Sequence, residues 1–353
     1  MLLQENIPLA PLTTFKVGGP ARYFIEATTE DEVKAAVAHA AERRWPLFVL
    51  GGGSNLVIAD EGWPGLVLKI ATCGIAQRDD IFQAGAGHDW DSFVLYAVCQ
   101  NYAGIECLSG IPGTVGGTPI QNVGAYGQEV AETILNVRVL EIATGQTFEL
   151  NSTQCGFAYR SSIFNTSHQG RYIVLQVTYR LARNGAPKIE YADLKKYFSG
   201  FTGTPSLQQV RDAVRTIRQS KAMLLVEGDD DCRSAGSFFK NPVVSPSEAD
   251  RIEAHALKIA PRETMLRYRS DDSLVKLSAA WLVERAGIHK GYGHGPVGIS
   301  RKHTLAIVNR GGATTRDIIA FKDEIQQRVL EVWGIQLHPE PVFVFPPNCQ
   351  TLR

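Results

Sequence analysis

A chain of 353 residues, 44% hydrophobic and 20% charged, is long enough for two or three domains with a sizeable core. Its 36 Lys+Arg balance 36 Asp+Glu, so nothing global draws it to nucleic acid or an anionic membrane surface. No apolar run approaches the roughly 18 residues that cross a bilayer, the N-terminus lacks a secretory pattern, and the six cysteines include no CxxC pair, which predicts a cytoplasmic protein with reduced thiols, no membrane insertion and no metal.

Asp31 to Arg44 reads as a helix. Thr28 and Thr29 can cap it, acidic residues fill its first turn, and Val33, Ala36, Val37 and Ala40 form an apolar stripe. Pro46 closes it, and Leu47 to Leu50 reads as a buried strand running into Gly51, Gly52, Gly53, Ser54 and Asn55. Leu56 to Ala59 looks like another strand. A dinucleotide fingerprint needs strand, glycine turn and helix in that order, so a Rossmann or P-loop reading fails here. Two readings remain: a tight loop whose bare amides face a pyrophosphate, or a plain hairpin turn.

Between residues 66 and 180 short strand-like runs alternate with turns, at Gly65–Ile70, Ile81–Ala84, Val137–Ile142, Thr147–Leu150 and Tyr172–Tyr179. A helix around Asp89 to Tyr102 interrupts them, which makes the segment α+β rather than a βαβ ladder. A second glycine run, Gly110-Ile-Pro112-Gly113-Thr-Val-Gly116-Gly117, also looks built to hold a phosphate. The Ser199–Ser206 stretch suggests a boundary, giving domains of 1–200 (lobes about 1–70 and 71–200) and 201–353. Leu207 to Gln219 reads as a helix whose core face is Val210, Ala213, Val214 and Ile217, with Arg211, Arg215 and Arg218 elsewhere on its surface. Further helices are predicted near Leu274–Ala286 and Arg316–Trp333, the latter capped by Thr314 or Thr315 and stopped at Gly334.

The segment Ser234 to Pro242 places a hydroxyl, an ammonium and a carboxamide (Ser237, Lys240, Asn241) within a few residues, among two phenylalanines and a glycine. Such a cluster can hold and donate a proton. Just upstream, Asp229 to Asp231 form an acidic run, either solvated or able to meet a cation.

The order Thr13–Gly19, Gly51–Asn55, Gly110–Gly117, Pro119–Tyr126, Tyr159–Phe164, Gly236–Pro242 and Pro339-Glu340 resembles the UDP-N-acetylenolpyruvoylglucosamine reductase family over nearly the whole chain. The first four motifs recur more loosely in other flavoproteins of the vanillyl-alcohol-oxidase type; the last three are the specific ones. The resemblance implies an α+β fold: a two-lobed FAD-binding domain of the vanillyl-alcohol-oxidase (PCMH) type, followed by an α+β substrate-binding domain. It implies FAD at Gly51, Gly52, Gly53, Ser54, Asn55, Gly110, Pro112, Gly113, Gly116, Gly117, Gln121, Asn122 and Gly124. Neither glycine loop contains a His or Cys for attachment, so the FAD is expected to be non-covalent.

The implied reaction uses NADPH to reduce UDP-N-acetylglucosamine enolpyruvate to UDP-N-acetylmuramate. Ser237 is the candidate proton donor, with Lys240 or water returning its proton. Arg160 offers a rigid fork for the substrate carboxylate. Glu340, between two prolines, is expected to titrate higher near that carboxylate and to donate a hydrogen bond. Tyr126, Tyr191, Lys221 and Asn241 are the candidate substrate contacts, Tyr191 resembling a tyrosine of the family's longer subtype that closes over the diphosphate. A flavin oxidase of the same fold acting on a sugar or hydroxy acid, or a non-catalytic flavin- or UDP-sugar-binding module, would explain the glycine loops. Neither explains Arg160, Ser237 and Glu340 together.

Overall fold

The computed structural model describes residues 1–259, 265, 267–271 and 273–347; Cys349 lies outside them. The chain divides into two compact units. The first comprises Met1–Pro8, Pro20–Gly53 and Trp63–Leu225, and the second Leu9–Gly19, Ser54–Gly62 and Val226–Arg353.

The first unit is built on two larger sheets, each on its own stretch of chain, with two short two-stranded pairings beside them. The four-stranded sheet runs in the order Gln4–Pro8, Pro20–Ala27, Trp63–Ile70, Leu47–Leu50. Its last three strands are parallel, and a parallel return needs a crossover. Helix α1 (Glu30–Arg43) supplies it: Thr29 accepts the Glu32 amide as N-cap, and Arg44 in the left-handed region ends it before Pro46. Val33, Ala36, Val37 and Ala40 are buried, as their spacing predicts. The five-stranded sheet is wholly antiparallel, in the order Thr147–Asn151, Ile134–Glu141, Tyr172–Arg180, Ile81–Gly85, Ile75–Arg78. Helix α2 (Trp90–Cys99) buries Trp90, Phe93, Val94 and Ala97 in the same core.

The loop Gly51–Asn55 is not a hairpin turn. Leu47–Leu50 pairs with Trp63–Ile70 in the first unit, whereas Leu56–Ile58 pairs with Val342–Val344 in the second. The chain changes units between Gly53 and Ser54.

The first unit also extends past residue 200. Helix α3 (Ala192–Tyr197) and helix α4 (Leu207–Ser220) belong to it, because Val210, Ala213 and Val214 pack with Leu194, Cys107 and Tyr126. The arginines of α4 do not form a solvated face. Arg211 and Arg218 are only 4% and 8% exposed. Periodicity marks them as polar but cannot see the partners that let them be buried.

The second unit packs helices α5 (Pro246–Ile259), α6 (Ala279–Arg285) and α7 (Thr315–Trp333) with small sheets around Phe238, Leu282, Ile307, Ile325 and Trp333. The helix expected over Leu274–Ala286 is a strand, Leu274–Leu277, followed by α6. The Ser278 side chain accepts the Trp281 amide and starts the helix there. Thr314 and Gly334 cap α7 as expected.

Candidate active site

The two glycine loops of the first unit touch. A Cβ on Gly52 would stand 2.5 Å from Gly113 Cα, and one on Gly51 would stand 3.2 Å from Thr114 Oγ1. Glycine is therefore required at 52 for close approach. Within the described residues the amides of Gly52, Gly53, Gly113 and Thr114 meet no acceptor. Adjacent unspent amides with no Cβ between them suit a phosphate oxygen, so this cradle fits the pyrophosphate of FAD.

The other glycines of the second loop are committed elsewhere. The Gly110 amide donates to Asp91 Oδ1 at 2.6 Å, that of Gly116 to Ala86 O at 2.8 Å, and that of Gly117 to Thr114 O at 3.0 Å. Gly117 faces open space where a Cβ would stand. Asn122 is also fully used: its Nδ2 donates to Glu129 Oε2 at 2.7 Å and Ala158 O at 3.1 Å, and its Oδ1 accepts the Ala131 amide at 3.1 Å. It staples the turn around Gly124 rather than presenting a free amide.

That staple serves Arg160. Its Nη2 donates to Gly124 O at 2.8 Å, and Asn165 Nδ2 donates to Arg160 O at 3.2 Å. A Cβ on Gly124 would lie 3.3 Å from Arg160 Nη1 and closer still to Glu129 and Gln128, so this site too calls for glycine. Asn122, Tyr126, Arg160 and Ala222 all hold positive φ, at 44°, 49°, 51° and 53°. Non-glycine residues keep that conformation only where their surroundings impose it, and such strain gathers at functional sites.

Tyr126 is buried, with its ring edge-on to that of Tyr191 at 5.5 Å between centroids. Burial pushes the Tyr126 hydroxyl up to about 12, although the Arg218 guanidinium beside it pulls the other way. Tyr191 stands at the start of α3 and is 41% exposed. Lys221 Nζ lies 2.6 Å from Asp193 Oδ2, on the first turn of the same helix. Tyr126, Tyr191 and Lys221 thus gather around α3 and the end of α4.

Ser237, Asn241, Glu340, Ser54 and Asn55 belong to the second unit. Gly236, at φ 73°, turns the chain into Ser237. Phe239 and Pro339 form an antiparallel bridge, flanked by Glu340 N→Phe238 O at 2.8 Å and Lys240 N→His338 O at 2.9 Å. This short ladder brings Ser237 and Glu340, both half-buried, onto neighbouring chains. Asn55 Nδ2 donates to Glu340 O at 3.3 Å, and Val342 N donates to Asn55 O at 2.9 Å. Thr14 Oγ1 lies 2.6 Å from Ser234 O and 3.3 Å from Ser54 O. Thr14, within the Thr13–Gly19 motif, is a supporting residue to which sequence reasoning gave no role. Asn241 Oδ1 accepts the Ala279 amide at 2.9 Å and so holds the start of α6.

The acidic run is salt-bridged rather than simply solvated, with Asp230 paired to Arg233 at 2.9 Å. Asp231 is 4% exposed, with Oδ2 3.3 Å from Arg301 Nε, and Asp229 pairs with Lys302. No group of three metal-ligating side chains occurs among the described residues.

Comparison with known proteins agrees with this division. Residues 21–151 match the family described as FAD binding domain. Residues 228–344 match the family described as UDP-N-acetylenolpyruvoylglucosamine reductase, C-terminal domain. The UDP-N-acetylenolpyruvoylglucosamine reductase of Thermobifida fusca is 47% identical over 348 residues, 96% of this chain and 97% of its own. That of Streptomyces coelicolor is 43% identical over 344 residues, 96% of this chain and 90% of its own. The crystal structure of the reductase from Thermus caldophilus matches with a TM-score of 0.67 at 26% identity, covering 98% of this chain and 100% of that one.

Proposed function

The chain belongs to the UDP-N-acetylenolpyruvoylglucosamine reductase family, and on that premise we propose how its own residues carry the reaction. The enzyme is an FAD-dependent oxidoreductase that reduces UDP-N-acetylglucosamine enolpyruvate to UDP-N-acetylmuramate with NADPH, in peptidoglycan precursor synthesis. When bound, FAD would supply hydride transfer from NADPH to the enol ether. Gly52, Gly53, Gly113 and Thr114 would hold its pyrophosphate through their amides, without a covalent link.

Hydride addition at the terminal carbon of the enolpyruvyl group leaves carbanion character beside the carboxylate. Ser237 delivers the proton there from Oγ. A serine is a weak acid, but a carbanion is a strong base, so a rigidly placed hydroxyl suffices and protonates nothing less basic. Arg160 holds the substrate carboxylate with its fork and stabilises the growing negative charge. Glu340 completes the set by hydrogen bonding to the enolate. Tyr126, Tyr191 and Lys221 take the diphosphate end of the substrate, and Asn241 orders the ground behind Ser237.

The observation that supports this reading is the Phe239–Pro339 bridge, which joins the two backbone segments that carry Ser237 and Glu340. Free thiols at Cys73, Cys99, Cys107, Cys155 and Cys232 suit a reducing compartment, and no described helix is long and apolar enough to cross a membrane; a cytoplasmic location completes the reading. Single-turnover stopped flow tests it. NADPH should bleach the bound flavin, and the UDP-enolpyruvyl sugar should restore its colour. A flavin that bleaches but recovers only with oxygen would overturn the assignment of Ser237, Arg160 and Glu340.

A further inference from the structure

Gly110 begins the second glycine loop, and its backbone is held at both polar groups. Its amide donates to Asp91 Oδ1 at 2.6 Å, and its carbonyl accepts from Arg218 Nε at 3.1 Å. The two partners come from different helices, Asp91 from the first turn of α2 and Arg218 from the last turn of α4. Neither is free to wander. Arg211 grips Asp91 with two hydrogen bonds of 2.6 and 2.9 Å, and Arg215 adds a third. Arg218 also donates to Met223 O at 2.6 Å. A Cβ on Gly110 would lie 2.8 Å from Leu224 Cδ1 and 3.5 Å from Arg218 Cδ, and the residue holds φ 70°, so the position calls for glycine.

Two charged side chains thus hold the backbone of one residue, three residues ahead of the open amide of Gly113, and Arg211 and Arg215 brace Asp91 from behind. An ion pair that merely joined α2 to α4 would need only Asp91 and Arg211. Here the carboxylate also takes the loop's amide, and a separate, buried guanidinium takes its carbonyl. Arg218 donates to the carbonyls of Gly110 and Met223, with the Tyr126 hydroxyl beside it, an arrangement that fixes backbone as well as carrying charge.

We propose that Asp91 and Arg218 are positioning residues for the flavin, clamping the backbone on both sides of Gly110 so that the amides of Gly113 and Thr114 stand ready for the pyrophosphate. The inference rests on the assignment of those amides to FAD. Preorganisation of this kind raises affinity because the loop's ordering is complete before the ligand arrives.

The test is FAD titration of deflavinated protein by quenching of flavin fluorescence, with thermal melting of the same apo-protein. Asp91→Asn keeps shape and loses the charge that Arg211 and Arg215 hold. Arg218→Lys keeps charge and loses the fork. Each should weaken FAD binding by about tenfold or more, the range of a lost charge-assisted hydrogen bond, while the apo-protein melts within a few degrees of the parent. Because both act on the backbone of one residue, the double variant should lose markedly less than the product of the single losses. Folded variants that bind FAD as tightly as the parent would overturn the clamp. So would multiplicative losses, or losses of affinity fully matched by a collapse of the apo-protein's melt, which would make the cluster a folding element. A parent chain that itself failed to bind FAD would instead overturn the flavin assignment, leaving the two failures distinguishable.

Discussion

The flavin loops of the first unit and the Ser237–Glu340 pair of the second are built the opposite way round. On the proposed assignment, backbone amides meet the ligand in the loops, with charged side chains behind them, Asp91 and Arg218 on Gly110. In the pair, on the same assignment, side chains meet the ligand, with a backbone ladder beside them, from Glu340 N to Phe238 O and from Lys240 N to His338 O. A backbone site is defined by shape: glycine where a Cβ will not fit. A side-chain site is defined by chemistry: a hydroxyl and a carboxyl at set positions. Damage to the first should therefore appear as lost cofactor, and damage to the second as lost turnover with the cofactor in place.

The sharpest division comes from Ser237→Ala. The change deletes one oxygen from a half-buried position whose neighbours are fixed by backbone hydrogen bonds. FAD binding and its reduction by NADPH should persist. Reoxidation by the UDP-enolpyruvyl sugar should fall by the roughly 10²–10⁴-fold typical of a lost general acid. Ser237→Cys should recover part of that rate. If Ser237→Ala loses flavin instead, the two sites are not separable in this way.

Arg160 tests the division from the other side, because it is a side-chain element carried by the first unit. Its fork is braced on Gly124 O and its backbone lies at φ 51°. Arg160→Lys keeps the charge and loses the paired donors, at about 1.5–3 kcal/mol for charge-assisted bonds. Substrate-dependent reoxidation should slow by about tenfold or more, with reduction by NADPH much less affected. Equal losses in both half-reactions would class Arg160 with the flavin loops.

Gly52→Ala is the counterpart in the backbone site. A Cβ at 2.5 Å from Gly113 Cα must push the two loops apart, at about 1–3 kcal/mol for such overpacking. FAD should be retained more weakly and lost on gel filtration, while FAD-saturated protein should still reoxidise with substrate. Undiminished FAD retention would show that the loops tolerate separation and that the open amides are not the cradle.

How much of this the sequence reveals depends on how local each signal is. The glycine loops and the Gly236–Pro242 segment are legible because each needs particular residue types within a short window. The clamp on Gly110 is not, since Asp91 and Arg218 lie far apart in the chain and helical periodicity assigns an arginine to the solvated side. The same blindness left Asp229–Asp231 between solvation and a cation, when Lys302, Arg233 and Arg301 are their partners. The exchange of Leu9–Gly19 and Ser54–Gly62 into the second unit has no local signature either. Nothing in Leu56–Ile58 says that its partner strand is Val342–Val344. The α6 region misleads for a different reason: Leu274, Leu277, Trp281 and Leu282 fit a helical spacing that Ser278 interrupts only through its cap.

The smallest expected effect lies outside both sites and serves as their reference. Glu30, in the first turn of α1, accepts from Arg138 Nε and Nη2 at 3.0 Å each and pairs with Lys34 at 2.8 Å. The Arg138 hydrogen bonds, aided by Lys34, draw its pKa from the ordinary 4.5 down to about 2 against the opposing effect of partial burial. A depressed carboxylate stabilises the fold only while it is ionised in the folded state more readily than in the unfolded one. The contribution is therefore complete above about pH 4.5, declines as the unfolded chain begins to take up the proton, and is gone below about pH 2. Since the pair is partly solvated, its size should be about 0.5–1 kcal/mol. Glu30→Gln should lower the urea midpoint slightly at pH 6, and the gap from the parent should narrow steadily towards pH 3. FAD affinity and both half-reactions should stay at parent values, because no atom of this pair belongs to the loops or to Arg160. A gap that widens on acidification would reverse the sign of the assigned shift. A gap accompanied by flavin loss would mean that the α1 crossover, and not only the Gly110 clamp, sets the geometry of the cradle.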